Sequence, residues 1–190
     1  SQLTPVGEAA RGHRYWVTAS WFVAGSLTGG AMLGGAMAIG ALAVGALDPS
    51  AGVLLGLAAV AALVGAIVDS GVLGIAPPFL RRQVNEDWLG KYRPWVYGGG
   101  FGWQIGTGVT TYIMTAAVFV TIGLGVLSAS APAAFLIGIA FSAVRGLAVL
   151  LTARIRAVSD LFALHRRFEA LGEPVRRAVI AVQLAVAVVA

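Results

Sequence analysis

Polar residues fall along this chain in blocks, not at regular intervals. Four stretches, 16–47, 51–68, 95–127 and 131–153, hold a single charged residue between them, Arg145. About 20 consecutive apolar residues cross a bilayer core of about 30 Å. Backbone N–H and C=O groups in lipid must be satisfied within the segment itself, which selects helix. The pattern therefore predicts an all-α integral membrane protein with four full transmembrane helices. A fifth starts after Arg177, but residues 178–190 amount to only about 20 Å of helix, so it is expected as a partial or truncated span.

Between the spans the chain turns amphipathic. Around residues 80–88 the apolar Leu80, Val84 and Trp88 recur every fourth position while Arg81, Arg82, Asn85 and Glu86 point elsewhere. In 158–171, Leu161, Phe162, Leu164, Phe168 and Leu171 oppose Asp160, Arg166, Arg167 and Glu169. Faces of this kind lie in the headgroup layer. A shift of 82 residues pairs Tyr15 with Tyr97, Trp21 with Trp103, Thr28 with Thr110, Met32 with Met114, Leu42 with Leu124, Val44 with Val126 and Gly56 with Gly138. One membrane domain over 1–190 is thus expected to comprise an N-terminal segment 1–14, two hairpin units over 15–94 and 95–172, and the start of a fifth helix over 173–190. Each unit has two spans, so the copies run parallel, unlike the inverted repeats of many secondary transporters.

Charge sets the orientation. Twelve of the 13 Lys and Arg lie in three clusters: Arg11 and Arg14; Arg81, Arg82, Lys91 and Arg93; and Arg154, Arg156, Arg166, Arg167, Arg176 and Arg177. The connections 48–50 and 128–131 carry none. The positive-inside rule then places the N-terminus and both long loops on the cytoplasmic side of an inner, cytoplasmic-type membrane. Trp16, Trp21, Trp88, Trp95 and Trp103 sit near the same ends, where indole rings suit the headgroup layer. An anionic inner leaflet accounts for the pI of about 10.4 without nucleic acid.

Within the spans, small residues dominate. Gly98, Gly102 and Gly106 form overlapping Gly-xxx-Gly steps, and Gly138, Ser142 and Gly146 repeat the spacing in the fourth span. Such ladders allow the close backbone approach on which helix association in lipid depends. Gln104, Thr107, Thr111 and Thr115 are spaced to line one side of the third span, either as a solute path or as interhelical hydrogen-bonding groups. Arg145 lies in the inner third of the fourth span, where an unpaired charge is costly. Asp69, near the inner end of the second span, is its expected partner in a candidate intramembrane ion pair.

Several chemistries are absent from the sequence. It has no cysteine, which excludes a disulfide framework and a thiol relay. His13 and His165 both fall near the inner surface and cannot flank a haem across a bundle. No nucleophile elbow, Walker loop or His-Glu-x-x-His pattern occurs. No catalytic residue, metal site or cofactor is therefore expected, only bound lipid. The expected role is a non-catalytic accessory, structural or assembly subunit of a larger membrane complex, contacting other membrane subunits or its own copies. The alternative is a small transporter that uses the polar stripe of the third span.

Overall fold

The computed structural model describes residues 3–74, 87–108 and 115–190, and every regular element among them is helical. A short helix α1 (Pro5–Ala10) precedes α2 (Tyr15–Ala46) and α3 (Ala51–Ser70). The second part holds α4 (Trp88–Lys91) and α5 (Pro94–Gly106). The third holds α6 (Ala117–Leu127), α7 (Ala131–Leu147), a 3-10 turn at Ala148–Thr152, and α8 (Val158–Val189). Three helices, α2, α3 and α7 with its 3-10 extension, are long and apolar enough to cross a membrane. The protein is a helical membrane protein.

The third apolar stretch departs from the expectation of one continuous helix. Its first part, α5, stops at Gly106, and Gly108 takes a left-handed φ of +74°, a conformation that favours glycine and ends a helix. Beyond the residues described there, α6 starts at Ala117, and its 11 residues make about 16 Å. Apolar content alone does not reveal such a break, because the sequence stays lipid-compatible across it.

The helices form two groups. α2 is a hub that packs on α5 along one side and on α7 along the other, and both contacts rest on missing side chains. A Cβ placed on Gly98 would lie 2.8 Å from the Thr18 carbonyl oxygen, and Cβ atoms on Gly102 and Gly106 would strike the backbone of Phe22 and Ser26. On the α7 side, Gly34 approaches the Phe135 carbonyl while Gly138 meets the backbone of Gly34. Two wholly buried serines bind the three helices where they meet. The Ser26 hydroxyl donates to the Ser142 carbonyl at 2.7 Å, and the Ser142 hydroxyl donates to the Gly106 carbonyl at 2.6 Å.

The second group is α3, α6 and α8, with α6 also joined to the hub, where Ile122 and Val126 pack around Met37, Ala41 and Ala134. Here α8 runs unbroken through Pro174, so the amphipathic segment 158–171 and the expected fifth-helix start are one 32-residue helix. Its first half is exposed, with Val158, Phe162, Phe168 and Leu171 uncovered, and only its second half packs on α3, facing α6 across a groove. The amphipathic segment around residues 80–88 lies outside the described residues except for Asp87 and Trp88.

The two short hairpin turns match in conformation. Asp48 and Ala129 have left-handed φ values of 46° and 49°, and each is followed within two residues by an extended serine N-cap, Ser50 for α3 and Ser130 for α7.

Candidate functional site

The break between α5 and α6 organises the polar interior. A helix leaves its last carbonyls and first N–H groups without intrahelical partners, and in lipid these ends must be met by other groups. At the end of α5, the Arg145 Nε donates to the Ile105 carbonyl at 3.1 Å, and Ser142 takes the neighbouring Gly106 carbonyl. The Arg145 guanidinium also lies 5.2 Å from the centre of the Phe141 ring, which supplies a cation–π contact. At the start of α6, the Asp69 carboxylate accepts the Ala116 N–H at 2.6 Å. Its second oxygen accepts the Gln183 amide N–H from α8 at 2.9 Å.

The two intramembrane charges therefore do not pair with each other, contrary to the reading from sequence. Each meets the helix end that its sign suits: the cation the negative C-terminus of α5, and the anion the positive N-terminus of α6. Asp69 caps α6 from the α3–α6–α8 group and Arg145 reaches α5 from α7.

The polar stripe of the third span is also divided. Gln104 and Thr107 lie at the end of α5, where the Thr107 hydroxyl donates to the Gln104 carbonyl at 2.8 Å. Thr115 stands beyond the break and Thr111 lies outside the described residues. The left-handed turn at Gly108 removes the helical register that would have aligned all four. Gly98, Gly102, Gly106, Gly138, Ser142 and Gly146 all lie at helix–helix contacts with α2.

A second polar cluster, at the end of the hub where α2 begins, was not singled out from the sequence. Glu8 of α1 is fully buried. It accepts hydrogen bonds from the Thr18 hydroxyl and, at 2.6 Å, from the Tyr97 hydroxyl, and it forms an ion pair with Arg11. Because the Tyr97 hydrogen goes to Glu8, the His13 Nδ1 at 3.1 Å is the donor in its bond to the Tyr97 oxygen. Burial pushes the Glu8 carboxyl up, but the bonds from Thr18, Tyr97 and Arg11 together outweigh it and hold the group below its ordinary value of 4.5. Tyr15, 82 positions before Tyr97, donates instead to the Val149 carbonyl at 2.8 Å. The Thr152 hydroxyl donates to the Leu3 carbonyl at 2.8 Å, tying the segment before α2 to the end of α7. The signal in the sequence was a lone glutamate in a short segment flanked by Leu3 and Tyr15. It reads as solvated until Tyr97 and Thr18 close over it.

A groove of about 330 Å³ runs between α6 and α8, lined mainly by valine and alanine with Thr121 and Gln183. Among the described residues, no group of three His, Asp or Glu side chains is placed to hold a metal ion. No family model matches the chain, and no solved structure matches it. Over 96 residues the chain is 34% identical to the methylamine utilization protein MauF of Methylorubrum extorquens, a match that covers 50% of this chain and 33% of that protein. The chain thus spans about a third of the length of the curated relative to which it is similar.

Proposed function

We propose that the chain is a non-catalytic accessory or assembly component of a larger inner-membrane system. The observation that carries this reading is how the polar interior is used. Ser26, Ser142, Arg145 and Asp69 each bond to the backbone of a different helix. Side chains committed in this way hold a framework together and leave little chemistry to perform. Extended apolar surface on α3 and on α8 is available to lipid or to other membrane subunits. The similarity to a methylamine utilization protein supports a role in the use of methylamine. In this reading the N-terminus and the basic loops face the cytoplasm, and the two hairpin units descend from one duplicated unit. The matched turns at Asp48 and Ala129 support the duplication.

The test is purification of a tagged chain in mild detergent, together with growth of a deletion strain on methylamine and on an unrelated carbon source. Co-purification of other membrane or redox subunits, with a growth defect confined to methylamine, is the expected result. A homo-oligomer that purifies alone and moves a solute into proteoliposomes would overturn it. The break in the third span favours transport as a second reading, because interrupted helices near mid-membrane commonly frame substrate sites.

A further inference from the structure

We propose that Asp69 and Gln183 form a binding site for a small monovalent cation, of the size of Na⁺, K⁺ or ammonium, where α3, α6 and α8 meet. Asp69 is 8% exposed and Gln183 is 4% exposed. The ion pairs among the described residues involve Glu8 and Glu173, not Asp69. The start of α6 offers the carboxylate about half a unit of positive charge, so about half of its charge remains uncompensated. The second observation is independent of the first. The Gln183 side-chain oxygen is buried and has no hydrogen-bond partner among the described residues, while the nitrogen of the same amide is held by Asp69.

That geometry fixes the chemistry of the ligand. The amide nitrogen must face the carboxylate, since turning the amide over would set two acceptor oxygens against each other. The orphan oxygen is then one bond from the carbon that carries the bound nitrogen, beside a carboxylate whose oxygens each retain a lone pair. A carboxylate and an amide oxygen joined through one hydrogen bond are hard donors with residual negative charge, which suit a small cation whose remaining ligands are water. The site's single carboxylate supplies one negative charge, which matches a monovalent ion and would leave a divalent ion's second charge uncompensated in a buried place. Access runs along the α6–α8 groove, which Gln183 lines beside Ala117, Val120 and Val179. The site stands apart from the accessory reading, since a cation here can brace α6 in a scaffold as readily as it can couple a transporter.

The experiment follows thermal unfolding of the purified full chain in detergent as choline chloride is replaced by NaCl, KCl or NH₄Cl at constant ionic strength. The expected result is a saturable rise in midpoint with at least one small cation and none with choline. Asp69→Asn should abolish that response. Gln183→Met, which keeps the volume but removes the oxygen, should weaken apparent affinity about tenfold or more. Thr121→Ala, in the same groove but bonded to its own helix at Ala117, should respond like the wild type. Equal midpoints in all salts would overturn the proposal, leaving a water or an empty acceptor at Gln183. An undiminished response in Asp69→Asn would also overturn it. So would stabilisation by acid in choline alone, which would make the ligand of Asp69 a proton.

Discussion

The α2–α5–α7 hub and the α3–α6–α8 group are built from similar residues but held together differently. In the hub, glycines bring backbone against backbone, and buried serines bridge the helices where they meet. In the second group, Gly52 and Gly56 of α3 face nothing within 4 Å among the described residues, Gly65 meets the side chains of Val120 and Gln183, and valine side chains line an open groove. Glycine thus brings backbone against backbone in one place, and in the other admits a side chain or faces open space. Close approach needs a ladder of glycines matched by a partner's backbone, which α5 and α7 offer to α2.

The sharpest way to break the contrast is Gly102→Leu. A Cβ there already strikes the Phe22 backbone, which cannot swing aside as a flexible side chain can. The loss should reach or exceed the upper end of the about 1–3 kcal/mol typical of overpacking, read as failure of the variant to accumulate in membranes. Next come the charges at the break. Asp69→Leu should cost about 1–3 kcal/mol by leaving the Ala116 N–H without its carboxylate, and Arg145→Leu no more than about 1.5 kcal/mol, since the Ile105 carbonyl keeps its bond from the Gly108 N–H. Because the two residues serve different helix ends, the double variant should be additive to within about 0.5 kcal/mol in detergent unfolding. A large positive coupling would restore a direct ion pair between α3 and α7.

Glu8 gives a smaller, pH-dependent effect. Its folded-state pKa is depressed below 4.5, so its contribution is fully present above that value and is lost as pH falls through the folded pKa. Wild-type unfolding midpoints should drop in that acid window, and Glu8→Gln should flatten that part of the profile while starting from a lower plateau. The smallest effect is expected at Gly56→Leu, within about 0.5 kcal/mol as for other substitutions that touch nothing, measured as unchanged accumulation and midpoint. A loss as large as that of Gly102→Leu would mean that the exposed face of α3 packs on another subunit.

How far the sequence could be read depends on the kind of interaction. Membrane-spanning helices at α2, α3 and α7 follow from length and hydropathy, and the ladders at Gly98 and Gly138 from spacing. The break after Gly106 was hidden because Gly108 is one glycine among 26, and nothing local distinguishes a helix-ending glycine from a packing one. That single gap explains the misassigned partners of Asp69 and Arg145. Without helix ends inside the membrane, the only visible match for one buried charge was the other. Gln183 stayed unseen because one amide in a valine-rich helix draws attention only once Asp69 stands opposite. Glu8 stayed unseen because its partners come from α2 and α5, 10 and 89 residues away.

The bond between the Thr152 hydroxyl and the Leu3 carbonyl spans 149 positions of chain. A ribosome adding about 5–20 residues per second needs roughly 7–30 s to deliver the second partner after the first. During that interval the segment before α2 has neither its tie to the 3-10 turn nor, until Tyr97 emerges, the full set of bonds around Glu8. Its docking is therefore a late event of biogenesis that follows the insertion of α2, α5 and α7, so that a segment made before these three helices finds its place after them.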